Sequence, residues 1–343
     1  MNLNFFKSFS IGYKITGFII ILLIGVLFLG PVEKFDSPVL LDTDIDITLT
    51  ELDQFISAKE SKIIDLKPDN QARVIWANPE KKQKTEYAVV YLHGFSASHK
   101  EGDPIHHEFA KRYGFNLYLA RLEDHGRLDS NSFVGLTPDN FIQSAEDAVD
   151  IGKLLGEKVI LISCSTGGTL SAILASAGEN IHSMIMYSPN IDIYDPMSDL
   201  LLYPWGKKLS ALVMKGHHNR VTYDSLGQAY WNSIYHTNAL FALKTMIQNF
   251  MTKDQFKKIK IPVFMGYYYK DEENQDKVVS VKRMMDFYDQ IGTPAHLKQK
   301  TAFPEAGGHV ISSEVFSKDI DGVKRATFAW AEKVLKIKPV RQY

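Results

Sequence analysis

The sequence predicts an α/β fold, a mostly parallel central sheet flanked by helices. Three observations predict it. Apolar runs such as Tyr87-Ala88-Val89-Val90-Tyr91-Leu92, Phe115-Asn116-Leu117-Tyr118-Leu119 and Ile181-His182-Ser183-Met184-Ile185-Met186-Tyr187 alternate with helix-patterned segments. Such alternation implies parallel strands joined by crossover helices. One strand, Val159-Ile160-Leu161-Ile162, runs directly into Ser163-Cys164-Ser165-Thr166-Gly167 and the small-residue segment Gly168-Thr169-Leu170-Ser171-Ala172, an order that reads strand, sharp turn, helix. Finally, 343 residues with 45% hydrophobic content suffice for one large packed core.

The chain opens with an uncharged stretch from Ile15 to Gly30. A helical membrane span needs about 20 residues, with a range of about 17–25, and Tyr13 with a snorkelling Lys14 extends the stretch toward Ile11. A cleaved signal peptide is the competing reading, but Phe28 and Leu29 before Gly30, and Pro31 after it, make a poor cleavage site. The expectation is therefore a transmembrane anchor over 15–31. Lys7 and Lys14 precede it while Glu33, Lys34 and Asp36 follow, which places residues 1–14 in the cytoplasm and the body on the exported side. The single cysteine allows no disulfide within the chain.

Residues 32–84 form a lead-in segment. Thr48 with Glu51 three residues on has the pattern of a capping box, and Ala72-Arg73-Val74-Ile75-Trp76 reads as a first strand turned by Asn78-Pro79. Residues 85–190 form the first part of the core, with a helix expected over Asp139 to Leu155. The buried strand 87–92 ends in His93-Gly94-Phe95-Ser96. Glycine there permits a turn that exposes the next amide, so Phe95 N–H is a candidate oxyanion donor and His93 a brace for the loop.

At the turn after the fourth strand, Ser165 occupies the apex. A hydroxyl there stands beside a helix N-terminus, and Thr166 N–H supplies a second candidate oxyanion donor. The usual elbow is Gly-x-Ser-x-Gly. Gly167 fits it, and Ser163 replaces the first glycine. Cys164, the lone cysteine, invites a thiol-nucleophile reading, but the residue before the apex points into the sheet, so a buried structural role is the reading preferred.

A serine hydroxyl needs a base within reach and a third group to orient that base. The late strand Ile261-Pro262-Val263-Phe264-Met265-Gly266-Tyr267-Tyr268-Tyr269 precedes a loop containing Asp276-Lys277-Val278-Val279. Asp276 is the expected acid. Asp271, nearer the strand end, is its rival, with Glu272 and Glu273 behind it. Phe303-Pro304-Glu305-Ala306-Gly307-Gly308-His309 then supplies the expected base, His309, on a glycine-rich loop. Residues 191–258, rich in aromatics and methionine, read as a helical cap or lid, and 259–343 complete the core. His106-His107 and His217-His218 are adjacent pairs without a carboxylate at metal-ligand spacing and read as surface or packing residues, so no metal or other cofactor is expected.

Taken together, His93-Gly94-Phe95-Ser96, the Asp124-His125-Gly126 loop, the Ser165 elbow, Asp276-Lys277-Val278-Val279 and Gly308-His309 resemble the α/β-hydrolase superfamily, in its carboxylesterase and monoacylglycerol-lipase branch of serine-aminopeptidase-like hydrolases. The resemblance runs from about Thr85 to the C-terminus. It implies an α/β-hydrolase fold, a Ser165–His309–Asp276 triad and an acyl-enzyme mechanism on a carboxylic ester, monoacylglycerols and lysolipids included. An acyltransferase or thioesterase with the same triad, and a non-catalytic binding protein on the same fold, are the alternatives. The partners expected are a small ester or lipid and, through the N-terminal segment, a membrane. The net charge of −1 gives no basis for nucleic-acid binding.

Overall fold

The computed structural model describes residues 13, 15–22, 25–26, 28–35 and 45–340. Its centre is a seven-stranded sheet in the order β1-β3-β2-β4-β5-β8-β9. The strands are β1 (Arg73–Ile75), β2 (Thr85–Leu92), β3 (Asn116–Leu119), β4 (Gly156–Cys164), β5 (Ser183–Tyr187), β8 (Val263–Tyr267) and β9 (Lys298–Ala302). Only β1 runs antiparallel, against β3; all the other pairs are parallel. Two short strands, β6 (His218–Arg220) and β7 (Ile234–His236), form a separate antiparallel ribbon.

Side-chain alternation in β2 shows why the sheet is covered on both faces. Ala88, Val90 and Leu92 enter one core cluster, while Tyr87, Val89 and Tyr91 enter the other. The first cluster is completed by helices α1 (Leu52–Glu60), α3 (Pro138–Leu155), α4 (Thr166–Ala177), α7 (Asn238–Phe250) and α9 (Val281–Gln290). The second is covered by α2 (Ile105–Tyr113) and α10 (Ile320–Trp330), with Phe109 and Trp330 fully enclosed. Helix α3 starts at a true capping box, since Thr137 Oγ accepts from Asn140 N–H and the Asn140 side chain accepts from Thr137 N–H.

Several local expectations are corrected. Thr48 does not cap a helix. Glu51 Oε2 accepts from Thr48 N–H at 2.9 Å within a turn, and α1 begins only at Leu52. The segment 191–258 holds α5 (Gly206–Val213), α6 (Ser225–Tyr230), α8 (Lys253–Phe256) and the β6–β7 ribbon, while Phe241, Ala242 and Met246 of α7 are fully buried in the core beside the sheet. Strand β9 leaves no signal in the sequence, because Lys-Gln-Lys-Thr-Ala at an edge carries no apolar alternation.

At the N-terminus, the described residues between 13 and 28 are helical. Among the described residues no helix is long and apolar enough to cross a membrane. The anchor expected over 15–31 includes Leu23, Ile24 and Leu27, which lie outside the described residues, as do 1–12 and Lys14 of the expected cytoplasmic segment. The described part ends against the insertion. Trp205 Nε1 donates to Val26 O and Trp205 N–H to Pro31 O, both at 2.8 Å, and Lys207 pairs with Glu33 at 2.8 Å.

Candidate active site

Strand β4 ends at Cys164 and α4 begins at Thr166, so Ser165 alone must turn the chain. It does so at φ 52° and ψ −118°. A non-glycine residue held there stores strain on the order of 1–3 kcal/mol, which persists only if its surroundings over-determine it. They do: Ser165 N–H donates to Tyr187 O at 3.0 Å, and Ser165 O accepts from Gly168 N–H at 2.9 Å and Asn190 N–H at 2.8 Å. Gly167 is required by close approach, since a Cβ there would lie 2.0 Å from Leu92 O. Ser163, the departure from the usual elbow, is buried in β4 between Leu92 of β2 and Met186 of β5, with its hydroxyl unpartnered. Cys164 is fully buried, and burial pushes its thiol well above the usual range, so it is held as an unreactive thiol.

The loop after β8 brings one acid to the site and leaves its rival outside. Asp276 is 1% exposed; its Oδ1 accepts from Val278 N–H at 2.9 Å and Val279 N–H at 3.1 Å. Its other oxygen, Oδ2, stands 2.6 Å from His309 Nδ1. Asp271 instead closes an exposed turn by accepting from Asn274 N–H at 2.7 Å and Glu273 N–H at 3.0 Å. Glu272 binds Tyr269 Oη at 3.1 Å, and Glu273 is also exposed. Burial pulls the His309 pKa down, but the charge and hydrogen bond of Asp276 outweigh it, so the imidazole is raised above its ordinary 6.5. Ser188 Oγ donates to His309 O at 2.7 Å and fixes the backbone of that loop.

Phe95 and Thr166 line the same cavity as the serine. Thr166 is the first residue of α4, so its N–H has no acceptor within the helix. Among the described residues Phe95 N–H has no protein acceptor either. The loop carrying Phe95 is braced by two buried imidazoles. His93 Nε2 accepts from Leu122 N–H at 3.1 Å and its Nδ1 meets Gly94 O at 2.9 Å. His125 Nε2 accepts from Ser96 N–H at 3.1 Å, its Nδ1 meeting Glu123 O at 2.7 Å. Burial lowers His93 to about 4 and His125 well below its ordinary value, so both are neutral near pH 7.

Ser165, Thr166, Phe95 and His309 line one cavity of about 600 Å³. Its remaining wall is mostly apolar, with Ile193, Val221, Trp231, Leu240, Val279 and Phe316 prominent. Much of this wall comes from the insertion, which is tied to the loop below by Asn232 N–H donating to Ser96 O at 2.7 Å. Ser165 and His309 share the cavity without a direct hydrogen bond among the described residues; such contacts often tighten only around substrate. The cavity wall also holds a buried carboxyl that no motif in the sequence announces. Glu101, from a 3₁₀ turn at His99–Gly102, is buried against Gly94.

The His106–His107 pair also differs from expectation, because the chain folds Asp103 back over the first turn of α2. The donor atoms of Asp103, His106 and His107 lie within 4.8 Å of one another. Asp103 pairs with Lys100 Nζ at 2.5 Å through one oxygen and stands 3.2 Å from His107 Nδ1 through the other.

No protein-family model matches the chain, and no curated protein matches its sequence. Solved structures do match its fold. The metagenome-derived lipolytic enzymes LipS and LipT give a TM-score of 0.61 at 16% identity, over 78% of this chain and 99% of theirs. A monoglyceride lipase of Saccharomyces cerevisiae gives 0.58 at 13% identity over 77% and 91%. The monoacylglycerol lipase of Paleococcus ferrophilus gives 0.56 at 13% identity over 76% and 96%. The chain therefore has an α/β-hydrolase fold of the kind found in esterases and lipases.

Proposed function

We propose that this protein is a serine hydrolase that cleaves carboxylic esters with an apolar acyl portion. The observation that carries this reading is the convergence of three elements on one cavity: a strained serine at a helix N-terminus, an imidazole raised by a buried carboxylate, and two unpaired amides. In this mechanism Ser165 Oγ attacks the ester carbonyl and passes its proton to His309 Nε2. Asp276 holds Nδ1–H and stabilises the imidazolium that forms. The Phe95 and Thr166 amides bind the oxyanion, an arrangement in which losing one donor typically costs about 10²–10³ in rate. His309 then protonates the departing alcohol, and water repeats the cycle to free Ser165 and the acid. The apolar wall supports an acyl chain as the part enclosed.

The catalytic body is proposed to work at a membrane, held by its N-terminal segment. Support comes from the uncharged run 15–30 and from exposed Leu209, Leu212 and Val213 of α5, next to the point where Trp205 grips that segment.

Labelling with a fluorophosphonate tests the assignment. Rapid modification at Ser165, abolished in Ser165→Ala and slowed in His309→Ala, is expected. Full esterase activity in a folded Ser165→Ala protein would refute it.

A further inference from the structure

Glu101 has no part in the reaction scheme, yet it joins the loop after β2 to the chain just after His309. It is 2% exposed and lines the cavity. Its Oε2 accepts from Gly94 N–H and faces Tyr91 Oη at 3.4 Å. A Cβ built on Gly94 would lie 2.6 Å from Glu101 Oε1 and 2.9 Å from Ser165 Cβ, so carboxyl and serine flank the same glycine hydrogen. The Glu101 carbonyl accepts from Ser312 Oγ at 2.8 Å, which ties the turn to the chain just after His309. The groups facing the carboxyl are the Tyr91 phenol from β2, the Cys164 thiol from β4, the Tyr223 phenol from the insertion and the His309 imidazole. None of these is a fixed cation.

We infer that Glu101 is a positioning residue of the ester-cleaving site, whose carboxyl holds Gly94 N–H so that the following amide, Phe95 N–H, is aimed at the oxyanion, and whose charge His309 senses. The inference rests on the proposed hydrolase reading for its kinetic consequences, but not for the loop geometry. Aiming matters because an oxyanion donor acts only when preorganised at hydrogen-bond distance from the developing charge. Gly94 has no side chain to restrain its peptide, so the restraint must come from outside. A carboxylate would grip the amide more strongly than a neutral acceptor, but would also set a negative charge beside the oxyanion. Burial resolves the conflict by pushing the Glu101 carboxyl up to about 7, against the opposing pull of Gly94 N–H and of His309. Near neutrality the group therefore carries only about half of a full charge. Where it does ionise, it raises the His309 pKa further.

Two variants separate positioning from packing. Glu101→Gln keeps an acceptor for Gly94 N–H and cannot ionise. It is expected to keep kcat within about threefold at neutral pH and to move the acid limb of kcat/KM down by about half a pH unit, because the charge that raises His309 is gone. Glu101→Ala is expected to lower kcat about 10–100-fold with KM nearly unchanged, the signature of a misaimed oxyanion donor. Hydrogen exchange at the Gly94 and Phe95 amides, measured without substrate, should quicken in Glu101→Ala and not in Glu101→Gln. A Glu101→Gln profile superimposed on that of the parent, or wild-type exchange at both amides in Glu101→Ala, would overturn the inference. Ser165→Ala run in parallel keeps the two ideas apart, since an active Ser165→Ala protein sinks the hydrolase reading while leaving the exchange result to judge Glu101.

Discussion

His309 and His93 reach the same corner of the molecule and are driven in opposite directions. Both are buried, and burial alone lowers an imidazole pKa. His93 hydrogen-bonds only backbone groups, Leu122 N–H and Gly94 O, and burial takes it down to about 4. His309 meets the Asp276 carboxylate at 2.6 Å and rises. The lesson is that a histidine's partner, rather than its depth, separates a brace from a candidate base. His93 is held neutral so that its Nε2 can accept a backbone N–H. His309 is arranged so that taking up a proton is favourable.

The sharpest way to break this contrast is to remove the carboxylate's charge. Asp276→Asn should lower kcat by about 10³–10⁴, the scale expected when an imidazole loses its orienting acid, and steady-state hydrolysis of a short-chain ester would read it. A residual rate close to wild type would shift the acid's role elsewhere. Next in size is the brace. Replacing His93 with Ala leaves the buried Leu122 N–H unpaired at a cost of about 1–3 kcal/mol, before any cavity is counted. A lower denaturant midpoint should report it.

Acidity separates the two histidines without mutation. His93 is depressed in the fold, so its contribution to stability is present above the ordinary 6.5 and is lost as pH falls toward about 4. That loss is on the order of 3 kcal/mol. His309 is raised, so its contribution is present below 6.5 and fades as pH rises through its folded value. Activity should show the complementary sign, with kcat/KM falling on the acid side at a midpoint above 6.5, since the base must be neutral to accept the serine proton. A midpoint at or below 6.5 would contradict the raised imidazole. The smallest effect is expected from Asp271→Asn, which alters an exposed turn and should leave kcat/KM within about twofold.

Local pattern carried a large part of this molecule. The elbow is readable because a buried β-branched run, a small-residue apex and a small-residue helix start must follow one another within a few positions. His93 as a brace and Cys164 as a buried thiol follow from their places at a strand end and just before the apex, and both side chains are found fully buried. Strand β9 and the core role of α7 were not readable. An edge strand needs no apolar face, and an apolar helix face looks the same in sequence whether it closes a cavity or packs beside a sheet.

By itself, then, the sequence determined the strand–turn–helix alternation, the place of Ser165 and the two segments that carry Asp276 and His309, because these depend on residues adjacent along the chain. The sequence put Asp276 ahead of Asp271, but only the tertiary structure sets His309 Nδ1 2.6 Å from Asp276 and leaves Asp271, five residues away, in an exposed turn. Tertiary structure alone brought Glu101 beneath Gly94. Those outcomes depend on how the loops after β2 and β8 fold back over the ends of the sheet, and a carboxylate's orientation toward its partner leaves no periodic trace in the chain.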